Sequence, residues 1–150
     1  MGAQIDDSAI ELKVSSALNK AEGVSDHARI EFKSVNGNLL VVGQAPNEYL
    51  RDLAIKALNQ VKGVKKVHNQ VKIGNTINMA TQTIDMWITS KVKLMLLTEE
   101  NVNSTNIQVL TENAEVYLMG LVTEEEANKA VEVARNISGV AKVIKVFEIL

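Results

Sequence analysis

Apolar residues recur along this chain at two different spacings, and the spacings alternate in a fixed order. Ile10, Val14, Ala17 and Leu18 lie at helical intervals and predict a first helix over Asp7–Ala21. Ile30 and Phe32 then alternate with charged neighbours, which predicts a strand over Ala28–Val35. Asn36-Gly37 follows, two residues that tolerate positive φ and so signal a two-residue hairpin turn. A second strand covers Leu39–Gly43. Asn47 caps a helix that puts Leu50, Leu53, Ala54, Ala57, Leu58 and Val61 on one face, and Gly63 stops it. A strand over Lys65–Ile73 completes the order αββαβ.

The same order then recurs. Asp7, Lys13, Val14, Leu18 and Val24 match Asp85, Lys91, Val92, Leu96 and Val102, each 78 residues later. Ile30, Asn36 and Gly43 match Ile107, Asn113 and Gly120 at an offset of 77. Gly63, Val64, Lys66, Val67 and Ile73 match Gly139, Val140, Lys142, Val143 and Ile149 at 76. Two single-residue deletions in the second copy account for the drift, so the chain is a duplication. Thr123-Glu124-Glu125-Glu126 opens the copy's second helix as a capping box, with acids at the positive end of the helix dipole. The expected fold class is α+β: two tandem αββαβ modules, each a three-stranded mixed sheet packed on two helices. Residues 1–5 form a flexible N-terminus, 6–74 the first module, 75–82 a linker and 83–150 the second module.

Comparing the two first helices separates what the fold needs from what it does not. At 100° per residue, Ile84, Ile88, Val92, Met95 and Leu96 form one stripe, the counterpart of Ile10, Val14 and Leu18. Trp87 and Leu94 fall together away from that stripe, with Lys91 beside them. Met86, Lys93 and Leu97 lie further round the same outer side. The first copy carries Ala9, Ser16 and Asn19 where the second has Trp87, Leu94 and Leu97. The fold can therefore be built without those large side chains. Three readings compete for them: packing against the other module or the linker, a protein–protein patch with Trp as anchor, or insertion into a membrane surface.

Composition narrows the chemistry. A hydrophobic content of 46% with 23% charged residues fits a globular chain rather than a disordered one. The absence of Cys excludes disulfides, thiolate zinc, iron–sulfur clusters and a Cys nucleophile. No apolar run approaches the ~20 residues of a membrane span. The chain contains a single Trp, so its placement carries weight. Net charge is −2, against the basic surplus of a nucleic-acid binder. Residues 1–74 hold ten Lys/Arg against eight Asp/Glu, and residues 75–150 hold six against ten. The lysines at 62, 65, 66 and 72 read as a solvated strand edge and helix end. His27 and His68 read as surface residues, Glu124–Glu126 as helix-capping acids, and Glu99-Glu100-Asn101 and Thr111-Glu112-Asn113 as turns. No nucleophile–base arrangement and no phosphate-binding Gly loop occurs. Neither catalysis nor a cofactor nor a metal is expected.

The strand-ending Gly43 and Gly120 and the pairs Gly63-Val64 and Gly139-Val140 resemble the tandem BON-domain family, whose fold has this αββαβ order. The runs Trp87-Ile88-Thr89-Ser90-Lys91-Val92 and Val116-Tyr117-Leu118-Met119-Gly120-Leu121-Val122-Thr123-Glu124 are similar to the dual-BON lipoproteins of Gram-negative outer membranes. The resemblance covers about Asp6 to Leu150. It implies a periplasmic lipoprotein on the inner leaflet of the outer membrane, which binds anionic phospholipid such as phosphatidylglycerol through the first helix of the second module. It also implies accumulation at division sites and a role in envelope integrity. This sequence shows neither a leader nor a Cys to lipidate, and Met1-Gly2-Ala3 reads as a start left after a lipidated N-terminus was removed. Asp6 stands where N-myristoylation wants Ser or Thr. With the resemblance, the expected site is the outer face of helix 83–97: Trp87 as anchor, Leu94, Leu97 and Met86 inserting, Lys91 and Lys93 meeting phosphates. The alternative is an envelope adaptor that uses the same face towards outer-membrane assembly proteins.

Overall fold

The computed structural model describes residues 5–150, which divide between Thr76 and Ile77 into two compact units. The proposed N-terminal segment 1–5 lies outside the described residues except for Ile5. In the first unit, α1 (Asp7–Lys20) is capped by Asp6, whose side chain accepts from the Ala9 N–H at 3.1 Å. A single helical turn, α2 (Val24–His27), follows Gly23. Strands β1 (Arg29–Val35) and β2 (Asn38–Ala45) form an antiparallel hairpin. Helix α3 (Glu48–Asn59), capped by Asn47, carries the chain over to β3 (Lys66–Ile73), which pairs parallel to β2. A parallel pair cannot be joined by a tight turn, so a long crossover connection is required, and α3 supplies it. The sheet order is β1-β2-β3, mixed as expected.

The second unit repeats this plan with α4 (Met79–Leu97), a 3₁₀ turn (Ser104–Asn106), β4 (Gln108–Glu112), β5 (Glu115–Val122), α5 (Glu124–Arg135) and β6 (Lys142–Ile149). Its sheet order is β4-β5-β6, again with one antiparallel and one parallel pairing. Each core forms where the central strand meets the helices. Leu39 and Val41 pack with Ile10, Val14 and Leu18 of α1 and with Leu50, Ala54 and Leu58 of α3. Val116, Leu118 and Val122 pack with Ile88, Val92 and Leu96 of α4 and with the small Ala127, Ala130 and Ala134 of α5. The Thr123–Glu126 capping box is present in full.

Several boundaries differ from the periodicity. Helix α4 begins at Met79 rather than 83, because Asn78 accepts from the Thr81 N–H at 2.9 Å and starts the helix upstream. Residues 79–82, assigned to the linker, are therefore helical. Helix α3 ends at Asn59, short of the Gly63 stop. Thr111 and Glu112 are buried strand residues, not a turn, since the hairpin needs only Asn113 and Ala114, both at positive φ. Gly43 and Gly120 sit at φ +130° and +141°, and a Cβ at either would overlap the carbonyl oxygen of Arg29 or Asn106.

The repeated Asp7 and Asp85 acquire a reason. Asp85 accepts from the Asn113 and Ala114 N–H groups at 2.7 and 2.9 Å, from inside the helix face that is otherwise apolar. Asp7 accepts from Asn36 and Gly37 N–H and from the Ser34 hydroxyl. Successive N–H groups of a left-handed turn form an anion-binding concavity, and each carboxylate fills one. Burial acts to raise the Asp7 carboxyl. The bonds from Gly37, Ser34 and Asn36, with the Lys33 charge, outweigh it and hold the group below its ordinary value of 3.8. A depressed folded value stabilises above the unfolded pKa, and that stability is lost as pH falls through the folded one. The first unit is therefore expected to weaken below about pH 4, and Asp7→Asn to flatten that decline while lowering stability at pH 7. Urea midpoints against pH test this; parallel profiles for the variant and the parent would refute it.

Candidate functional site

Helix α4 presents two faces of opposite construction. Asp85, Ile88, Val92 and Leu96 are buried. Ile84 and Met95, expected on the same stripe, are 55% and 40% exposed instead. The buried face is turned by roughly 30° from the apolar pattern, on a 100° step per residue, because Asp85 must face the β4–β5 hairpin. Thr89 reinforces this edge, its hydroxyl lying 2.8 Å from that of Thr111.

Leu94 and Trp87 point to within about 35° of the direction opposite the core and are each 54% exposed. Met79, Met86 and Leu97 flank them and are more exposed still. Met79 and Leu97 lie at the two ends of the helix, so the apolar row runs its full length of about 28 Å at 1.5 Å per residue. Lys91 and Lys93 stand about 80° to either side of the outward direction. Both are exposed, and neither is ion-paired with any described residue. The only acid within the helix is the buried Asp85.

Even the polar members of the outer face are turned inward. Thr83 donates its hydroxyl to the Met79 carbonyl at 2.9 Å, and Ser90 donates to the Met86 carbonyl at 3.1 Å. Hydroxyls already satisfied by their own helix lose less when water is removed from the surface. The face can thus lie against a non-aqueous phase at low polar cost, with two cationic flanks left at its edge. Its counterpart on α1 exposes Ser16, Asn19 and, among large apolar side chains, only Leu12.

All six residues expected from sequence lie on this one exposed side of α4. Met79, Ile84 and Met95 are additions. The Asn78 cap was a legible signal for Met79, and the other two follow from the turn of the helix.

A model of the BON domain matches residues 6–75 and 84–150. The chain is 40% identical over 149 residues to the outer membrane lipoprotein DolP of Haemophilus influenzae, covering 99% of this chain and 77% of that protein. It is 39% identical over 145 residues to the 21 kDa hemolysin of Actinobacillus pleuropneumoniae, covering 97% and 75%. It is 36% identical over 86 residues to the osmotically-inducible protein Y of Escherichia coli, covering 57% and 40%. None of these three is named as an enzyme.

Proposed function

The chain belongs to the BON-domain family, with two domains in tandem like the outer-membrane lipoproteins of the envelope, and from that premise we propose that it is a non-enzymatic phospholipid-docking protein. The docking element is α4, laid flat on an anionic, phosphatidylglycerol-like surface. Trp87 sits at headgroup level, Leu94, Leu97 and Met86 enter the acyl boundary, and Lys91 and Lys93 meet phosphates. The carrying observation is the row of exposed Met79, Met86, Trp87, Leu94 and Leu97, broken only by the self-bonded hydroxyls of Thr83 and Ser90, between two lysines that pair with no described residue.

Magnitudes apportion the roles. A lysine at an anionic surface contributes about 1 kcal/mol, so two of them give weak, salt-screened attraction. The second module's excess of acids opposes even that. The apolar row must supply most of the binding, since burying one large side chain yields roughly 1.5–3 kcal/mol. A lipid anchor, as the name of the Haemophilus relative describes, would add the second attachment that durable binding needs. The site of action is then the periplasmic side of the outer membrane, where the protein supports envelope integrity at division sites.

Because Trp87 is the only Trp, its own fluorescence reports the event. Vesicles containing phosphatidylglycerol are expected to shift the emission to the blue, and pure phosphatidylcholine vesicles to do so far less. An emission unchanged by either vesicle would overturn the reading. It would favour the adaptor alternative, in which the exposed Trp anchors an outer-membrane assembly protein.

A further inference from the structure

The first module has a feature whose small lining residues are replaced by larger ones in its duplicate. A groove of about 700 Å³ runs between α1 and α3. Each wall contributes residues at i, i+3, i+4, i+7 and i+8: from Lys13 to Ala21 on α1 and its cap, and from Leu53 to Val61 on and after α3. Two parallel ridges two helical turns long make a channel about 12 Å in length. Its floor is low because Ala17, Ala21 and Ala57 are small. The equivalents of Ala17 and Ala57 are Met95 and Val133, and Ser16 at the rim becomes Leu94.

The rim is cationic. Lys13 and Lys20 stand on one wall and Lys56 on the other, all exposed and none ion-paired with a described residue. In the second module Lys20 becomes Thr98 and Lys56 becomes Glu132. Lys13 is kept as Lys91, so Lys20 and Lys56 are the charges that belong to the groove and not to the shared fold. Lys13 and Lys20 are two turns apart, about 10 Å along the axis. That is too far for one phosphate to bridge, but it matches carboxylates repeated along a helix.

We propose that this groove docks an acidic amphipathic helix of a partner protein, its apolar face on the alanine floor and its carboxylates against Lys13, Lys20 and Lys56. Small floor residues let the incoming backbone approach closely, as helix-in-groove recognition requires.

The test is an amide NMR titration of the full chain with an 18-residue helical peptide bearing Leu on one face and Glu on its borders. A second peptide has every Glu replaced by Lys. Shifts confined to residues 13–21 and 53–61 with the acidic peptide alone are expected. The triple variant Lys13→Gln/Lys20→Gln/Lys56→Gln should weaken binding about tenfold, as loss of three exposed ion pairs predicts. Ala17→Met, which installs the second module's residue type, should block it with charge unchanged. No shifts, equal response to both peptides, or undiminished affinity in the triple variant would overturn the proposal. So would perturbation of the groove by phosphatidylglycerol bicelles in place of the peptide, which would make it a lipid site.

Discussion

Trp87→Glu is expected to reduce affinity for anionic vesicles a few hundredfold while leaving the fold intact. About half of the Trp surface is exposed, on the order of 100 Å². At ~25 cal/mol per Å², its transfer from water is worth about 2.5 kcal/mol. A glutamate adds roughly 1 kcal/mol of repulsion from an anionic surface. Together these approach 3.5 kcal/mol, or two to three powers of ten. Vesicle sedimentation checks the affinity, since the variant has no Trp emission to follow. Far-UV circular dichroism checks the fold, because the repeat-mate Ala9 shows that this position needs no large side chain. If the variant unfolds, Trp87 is a core residue. If it binds vesicles as well as the parent, the docking face lies elsewhere.

Gly120→Ala should damage the second module severely. At φ +141° an L-residue is strained, and its Cβ would overlap the Asn106 carbonyl oxygen. Backbone cannot swing aside as a flexible side-chain tip can. Strand β5 would have to part from the segment entering β4, at a cost of about 3 kcal/mol. A module of this size has a total stability of roughly 4–11 kcal/mol, so that loss is a large share. Gly139→Ala provides the contrast. Gly139 also has positive φ, but its Cβ would meet only Ile88, at 3.6 Å, and the cost should be about 1 kcal/mol. Urea denaturation, with hydrogen exchange assigning the loss to residues 77–150, compares them. Equal losses for the two variants would mean that the overlap relaxes freely.

The two sites were not equally legible in the sequence. The α4 face could be found because duplication supplies its own control: Ala9, Ser16 and Asn19 occupy the positions of Trp87, Leu94 and Leu97 on a shared skeleton. Caps were readable because Asn47 and Thr123 act locally. The buried carboxylate Asp85 was not, since periodicity treats every acid as outward and its partners lie 28 and 29 residues away. That one omission also misplaced Ile84 and Met95. The short α2 and the 3₁₀ turn are too brief to show a period, and α2 enters through Gly23 at φ +84°. β2 runs on to Ala45 because parallel pairing with β3 reaches Ile73, which no pattern within β2 itself announces. The α1–α3 groove depends on what is missing from alanine positions, and a single copy would not have flagged it.

The Asp85 contact acts as a key in a keyway. Apolar side chains packing on a sheet tolerate a small roll of the helix about its own axis, because dispersion contacts are weakly directional. Two short bonds from one carboxylate to a rigid turn do not, so Asp85 indexes the azimuth of α4 and with it the bearing of Trp87. Asp7 indexes α1 in the same way. A helix clocked by its buried side can exchange its outer residues without losing aim.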